Sequence, residues 1–159
     1  MTEMKSPDSP NFEEFFRAIF PRAVRAAYRI TGDRGLAEDA AIQAMSRAHF
    51  HWRRVGTLPW RDGWVLKTTF REALHLAWQP PIDSPNEALD VADMVVLRSA
   101  LVDALNRLPK RQREAVGLRY LVDLPDAEVA RAMAISLTSV KTHLHRGLRR
   151  LRLQSQDLA

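Results

Sequence analysis

Five cations, Lys141, Arg146, Arg149, Arg150 and Arg152, stand near the end of the chain with no Asp or Glu between residues 137 and 152. Such groups neutralise phosphates, and Lys141, Arg146, Arg149 and Arg150 together imply binding that weakens with salt at a log–log slope of about −3.6. Among them lie Thr138, Ser139, Thr142 and His145, which, with Lys141, have the reach and the donor–acceptor chemistry to read base edges in a groove. Ser136 precedes the group as a helix N-cap, so the amide end of the following helix also faces phosphate. The alternative is an ordinary helical hairpin with a solvated basic face. That reading is weaker, because solvated faces usually interleave Glu partners at helical spacing and this one has none.

The elements that must position these residues follow from apolar spacing. Ala127, Val129, Ala130 and Met133 make one short apolar face, a break follows at residues 134–136, and Val140, Leu144, Leu148 and Leu151 then recur at three- and four-residue steps. Leu137, Val140, Leu144 and Leu148 are assigned to packing. Two short helices across a tight turn, the second one basic, form a helix-turn-helix that can enter a major groove.

The rest of the chain reads as helix too. It has 159 residues, 46% of them hydrophobic, with six glycines and a formal charge of +5. No window shows sustained strand alternation, so the fold class is all-α. Phe12, Phe15, Phe16, Ile19 and Phe20 mark a first helix, with an interruption expected near Pro21. Leu36 to about Trp52 and Trp60 or Asp62 to Trp78 are further helices. Residues 79–94 hold Pro80, Pro81 and Pro85 and four carboxylates, Asp83, Glu87, Asp90 and Asp93, without Lys or Arg. This acidic linker separates two small helical domains, 11–78 and 95–153, with tails at 1–10 and 154–159. Its carboxylates are expected to shield the basic helix in the free protein.

Several functions are excluded. Without cysteine there is no thiolate metal site or thiol nucleophile. His49 and His51, like His143 and His145, are two residues apart and point to different helix faces. No glycine-rich phosphate loop is present. The chain is therefore read as a non-enzyme with no cofactor and no metal. No apolar run nears the roughly 20 residues of a membrane span, and the N-terminus lacks a signal-peptide core, so a cytoplasmic protein is expected.

The second half resembles the promoter-reading domain of bacterial sigma factors. Leu108-Pro109-Lys110-Arg111-Gln112-Arg113-Glu114 with Leu118-Arg119-Tyr120 is similar to the family's "LPxxQRE…LRY" helix. Asp126-Ala127-Glu128-Val129-Ala130 and Ile135-Ser136-x-x-Ser139-Val140-Lys141-Thr142-x-Leu144-x-Arg146 are similar to its two helix-turn-helix segments. More loosely, the first half resembles the domain that grips the polymerase and melts the promoter. The residues concerned are Phe12-Glu13-Glu14-Phe15-Phe16, Gly32-Asp33, Ala37-Glu38-Asp39-Ala40 and Trp64-Val65-Leu66-Lys67. Two helical domains on a short linker match the layout of the extracytoplasmic-function (ECF) sigma factors.

The resemblance implies core RNA polymerase and promoter DNA as partners, with an anti-sigma protein as a further one. It places Glu38, Asp39 and Gln43 on a polymerase-facing ridge. Lys67, Phe70 and Arg71 fall on the helix that serves the minus-ten element, where aromatics hold unstacked bases and cations track the backbone. The same aromatics, Trp60, Trp64, Phe70 and Trp78, also suit a core, and Trp64 is assigned to one. Lys110, Arg111 and Arg113 suit phosphate contact and a solvated face equally. The chain departs from the family at Ile42-Gln43-Ala44-Met45, at Arg71 in place of Asn, at the missing basic run after this helix, and at Ala134 in a turn where Gly is common. The changes around Arg71 leave a second reading open, a sigma-like DNA-binding regulator or decoy that does not melt promoters.

Overall fold

The computed structural model describes residues 11–78 and 89–157. Its elements are α1 (Phe12–Thr31), α2 (Arg34–Phe50), a short α3 (Trp52–Val55), α4 (Arg61–Trp78), α5 (Leu89–Arg107), α6 (Lys110–Val116), a π-helical segment (Gly117–Leu121), α7 (Asp126–Met133) and α8 (Leu137–Asp157). Among the described residues there is no strand, and no helix is long and apolar enough to cross a membrane.

The first half is a bundle of α1, α2 and α4. The Asn11 side chain accepts from the Glu13 amide at 3.0 Å and starts α1, and Asp33 does the same for α2 through the Leu36 amide at 2.9 Å. Between them Gly32 takes the left-handed conformation, φ 64°, that ends α1 at little steric cost. Ala37, Ala40, Ala41, Ala44 and Ala48 are fully buried, and their small side chains let α2 lie close against α1 and α4. Contrary to the expected interruption, α1 runs unbroken through Pro21. Pro21 is on the exposed face, where water can satisfy the Arg17 carbonyl that lacks its amide donor.

In the second half α8 packs on α5, α6 and α7. Here α5 begins at Leu89 rather than at Val95, and α8 continues through Asp157, so both helices extend into stretches expected to be linker and tail. Shielding of α8 by the linker carboxylates falls on side chains outside the described residues, except Asp93, which is exposed. The helix expected through Leu121 changes character at Gly117. The Val122 amide there reaches back five residues to the Gly117 carbonyl, 3.1 Å away.

Ala134 does adopt the left-handed conformation at the helix-turn-helix turn, φ 56° and ψ 44°. A Cβ in that region costs about 1–2 kcal/mol, partly offset because Ala restricts the unfolded chain more than Gly does. Ala134→Gly is therefore expected to raise stability by about 0.5–1 kcal/mol. A thermal melt checks this, and an unchanged or lower midpoint would show the turn to be unstrained.

Candidate nucleic-acid interface

The Ser136 hydroxyl accepts from the Ser139 amide at 3.1 Å and donates to the Ser139 hydroxyl oxygen at 2.9 Å, so it caps α8 as expected. Val140 and Leu144 are buried beneath the helix. Leu137, assigned to packing, is instead 43% exposed. It is the first residue of α8 and lies beyond the rim of the core.

At about 100° per residue, Thr138, Thr142, His145 and Arg149 fall within about 60° of arc, opposite the seam of Val140, Leu144 and Leu151. Ser139, Arg146 and Arg150 flank this stripe on one side and Lys141 on the other. Thr138, Lys141, Thr142, His145, Arg146, Arg149 and Arg150 are all exposed, and Ser139 is half-buried. Among the described residues, no carboxylate forms an ion pair with a cation of α8. The Thr142 hydroxyl donates to the Thr138 carbonyl at 3.1 Å, which leaves its lone pairs and methyl group outward-facing.

The residues expected to serve the minus-ten element are placed very differently. Phe70 is 1% exposed, and its ring fills the space that a Cβ at Gly117 would occupy. Arg71 donates through Nε (3.1 Å) and Nη2 (2.6 Å) to one carboxylate oxygen of Glu114, a residue whose side chain is only 5% exposed. The Lys67 Nζ donates to the Ala132 carbonyl at 2.7 Å, at the end of α7, where helix carbonyls are otherwise unpaired. Arg111 does the same for the Met133 carbonyl at 3.2 Å. Partial burial, and then the neighbouring Arg71 charge, hold the Lys67 ammonium below the usual lysine pKa. Beside these contacts the seam between α4 and α5–α6 opens into a cleft of about 530 Å³, lined by Arg71, Leu74, Asn106, Lys110 and Arg113 among others.

On α2, Asp39 and Gln43 are exposed on one face, whereas Glu38 is half-buried and accepts from Arg34 at 3.1 Å. Two exposed apolar residues share this helix, Ile42 (49%) and Phe50 (83%). Sequence reading did not assign them to any site. Phe50 stands between two histidines, but Ile42 stands between the buried Ala41 and Gln43, where nothing local sets it apart from a core residue.

Among the described residues the fold is all-helical, and α8 presents an exposed basic face. The Sigma-70, region 4 family matches residues 98–151. The chain is 30% identical to the RNA polymerase sigma-E factor of Streptomyces coelicolor, over 92% of this chain and 88% of that one. It is 28% identical to the ECF RNA polymerase sigma factor SigL of Mycobacterium tuberculosis, over 84% and 82%. A solved structure of CnrH in complex with the cytosolic domain of CnrY has the same fold, with a TM-score of 0.65 at 14% identity, over 95% of this chain and 93% of that one. The chain belongs to the ECF sigma factors. It is a promoter-directing, regulatory protein of transcription initiation.

Proposed function

We propose that α8 reads the upstream promoter element through a stripe centred on Thr142, with Arg146, Arg149, Arg150 and Lys141 holding the flanking phosphates. In this reading residues 95–153 form the upstream-element domain and residues 11–78 the polymerase-binding and minus-ten domain. Core polymerase docks on the outer face of α2, where Asp39, Gln43 and Ile42 are exposed and Glu38 borders them. Lys67 and Arg71 of α4 serve the backbone of the melted strand. The protein acts in the cytoplasm, and an anti-sigma protein is the regulatory class of partner. The observation that carries the reading is the exposed stripe of α8, which lies opposite its buried seam and whose cations have no carboxylate partner among the described residues.

Thr142 gives the sharpest test. Its donor is committed to the Thr138 carbonyl, so it offers a base an acceptor oxygen and a methyl group. Those suit an exocyclic amine or a thymine methyl. Thr142→Ala should fold normally, keep its salt dependence, and lose about 1–3 kcal/mol of discrimination at one base pair. The measurement is binding of wild type and variant to every single-base change of the upstream element. A uniform loss across positions, or none at any, would remove Thr142 from base reading.

A further inference from the structure

We propose that the cleft between α4 and α5–α6 is a binding site for a nucleoside polyphosphate, with Arg71, Lys110 and Arg113 on the phosphates and Trp78 on the base. Its lining comes from α4, α5 and α6 and not from α8, so it stands apart from the base-reading stripe. Arg71, Leu74 and Trp78 follow one another at helical spacing along the α4 wall, and Lys110 and Arg113 do so along the α6 wall. A volume of about 530 Å³ is the size of a small-molecule pocket. Arg71 and Trp78 are seven residues apart, about 10.5 Å along the helix, which is comparable to the span from a nucleotide's base to its phosphate tail.

The charge in the cleft is one-sided. Arg71, Lys110 and Arg113 face a single carboxylate, Glu114. Glu114 is buried and takes two of the five N–H donors of Arg71, which fixes the guanidinium and leaves its other donors for a ligand. Arg113 is steadied by a neutral partner, the Asn106 carbonyl oxygen at 3.2 Å, so its charge stays uncompensated. Lys110 is exposed and has no carboxylate partner among the described residues. Lys67 feels the same excess: besides its burial, Arg71, Arg111 and Lys110 push its ammonium pKa down against Glu114 alone. Positioned guanidinium and ammonium groups of this kind hold phosphate oxygens. At the other end of the α4 wall Trp78 is 59% exposed, with Leu74 beside it on the same face. An indole in water next to a cation set is suited to stacking on a base, which a bare anion would not need.

Arg71 is shared with the proposed DNA surface of α4, so the test turns on Lys110 and Trp78, whose exposure lets the fold tolerate their replacement. The full-length protein would be titrated calorimetrically with ATP, without divalent metal, so that the phosphates meet the cations alone. ATP should bind about tenfold more tightly than tripolyphosphate, through the base, and about tenfold or more above adenosine, through the phosphates. Lys110→Ala and Trp78→Ala should each weaken ATP about tenfold. Trp78→Ala should leave tripolyphosphate binding unchanged, and Trp78→Phe, which keeps a stacking face, should recover most of the ATP affinity. Arg146→Ala/Arg149→Ala should bind ATP as the wild type does. The site is overturned if ATP gives no binding at millimolar concentration, or if the α8 variant loses ATP while the cleft variants keep it. Tripolyphosphate binding as tightly as ATP would overturn the nucleotide assignment. A mixed-sequence trinucleotide that displaces ATP at lower concentration than ATP itself would give the cleft to a single strand, and overturn it equally.

Discussion

Replacing Arg146 and Arg149 with Ala is expected to halve the salt dependence of DNA binding by this sigma factor. With Lys141, Arg146, Arg149 and Arg150 each displacing a condensed counterion, the log–log slope is about −3.6, and losing two contacts brings it to about −1.8. Between roughly 50 and 200 mM salt the wild type should then lose about 150-fold in affinity and the double variant only about 12-fold. The loss should be equal on promoter and unrelated duplex, because phosphate contacts position a protein without specifying sequence. Both arginines are exposed, so the fold should tolerate the change. Titration of a labelled duplex across the salt range reads all of this. An unchanged slope would return both arginines to a merely solvated face, and a loss confined to promoter sequence would move one of them to a base edge.

The helix-turn-helix was legible from residues alone because its determinants are local. A hydroxyl at Ser136, apolar residues at Val140 and Leu144, and cations on the remaining arc all act within a few turns of one helix. The joint between the halves was not legible. Lys67 and the carbonyl it meets are 65 positions apart, and Arg71 and Glu114 are 43 apart. Nothing in a cation on a helix face says whether it will meet a phosphate or a distant carboxylate. Pro21 was misjudged for a related reason, since a proline's cost depends on whether the carbonyl it strands faces water or core. Phe70 and Ile42 show the same limit for apolar residues. Periodicity puts both on helices, but only packing decides that Phe70 goes inside and Ile42 stays out.

The joint also explains why Gly117 and the π-helical turn occur together. The ring of Phe70 occupies the place of a Cβ at Gly117, and the wider turn that follows keeps Leu118 buried while Tyr120 points outward. A feature that looks like a defect in α6 is thus the receptor for a side chain of α4.

Phe70→Ala is accordingly expected to cost about 3–5 kcal/mol of folding stability, as truncation of a fully buried phenylalanine does. Gly117→Ala should cost about 1–3 kcal/mol by overpacking against the same ring. The two losses should not add. Once the ring is gone the new methyl at position 117 has room, so the double variant should be little worse than Phe70→Ala alone, a coupling on the order of 1–3 kcal/mol. Urea unfolding followed by circular dichroism measures all four corners of the cycle. Strict additivity would separate the two residues and dismantle the notch. A Phe70→Ala protein of near-native stability that fails to initiate would assign the ring to the melted strand, and would make the buried position of Phe70 a resting place rather than its working one.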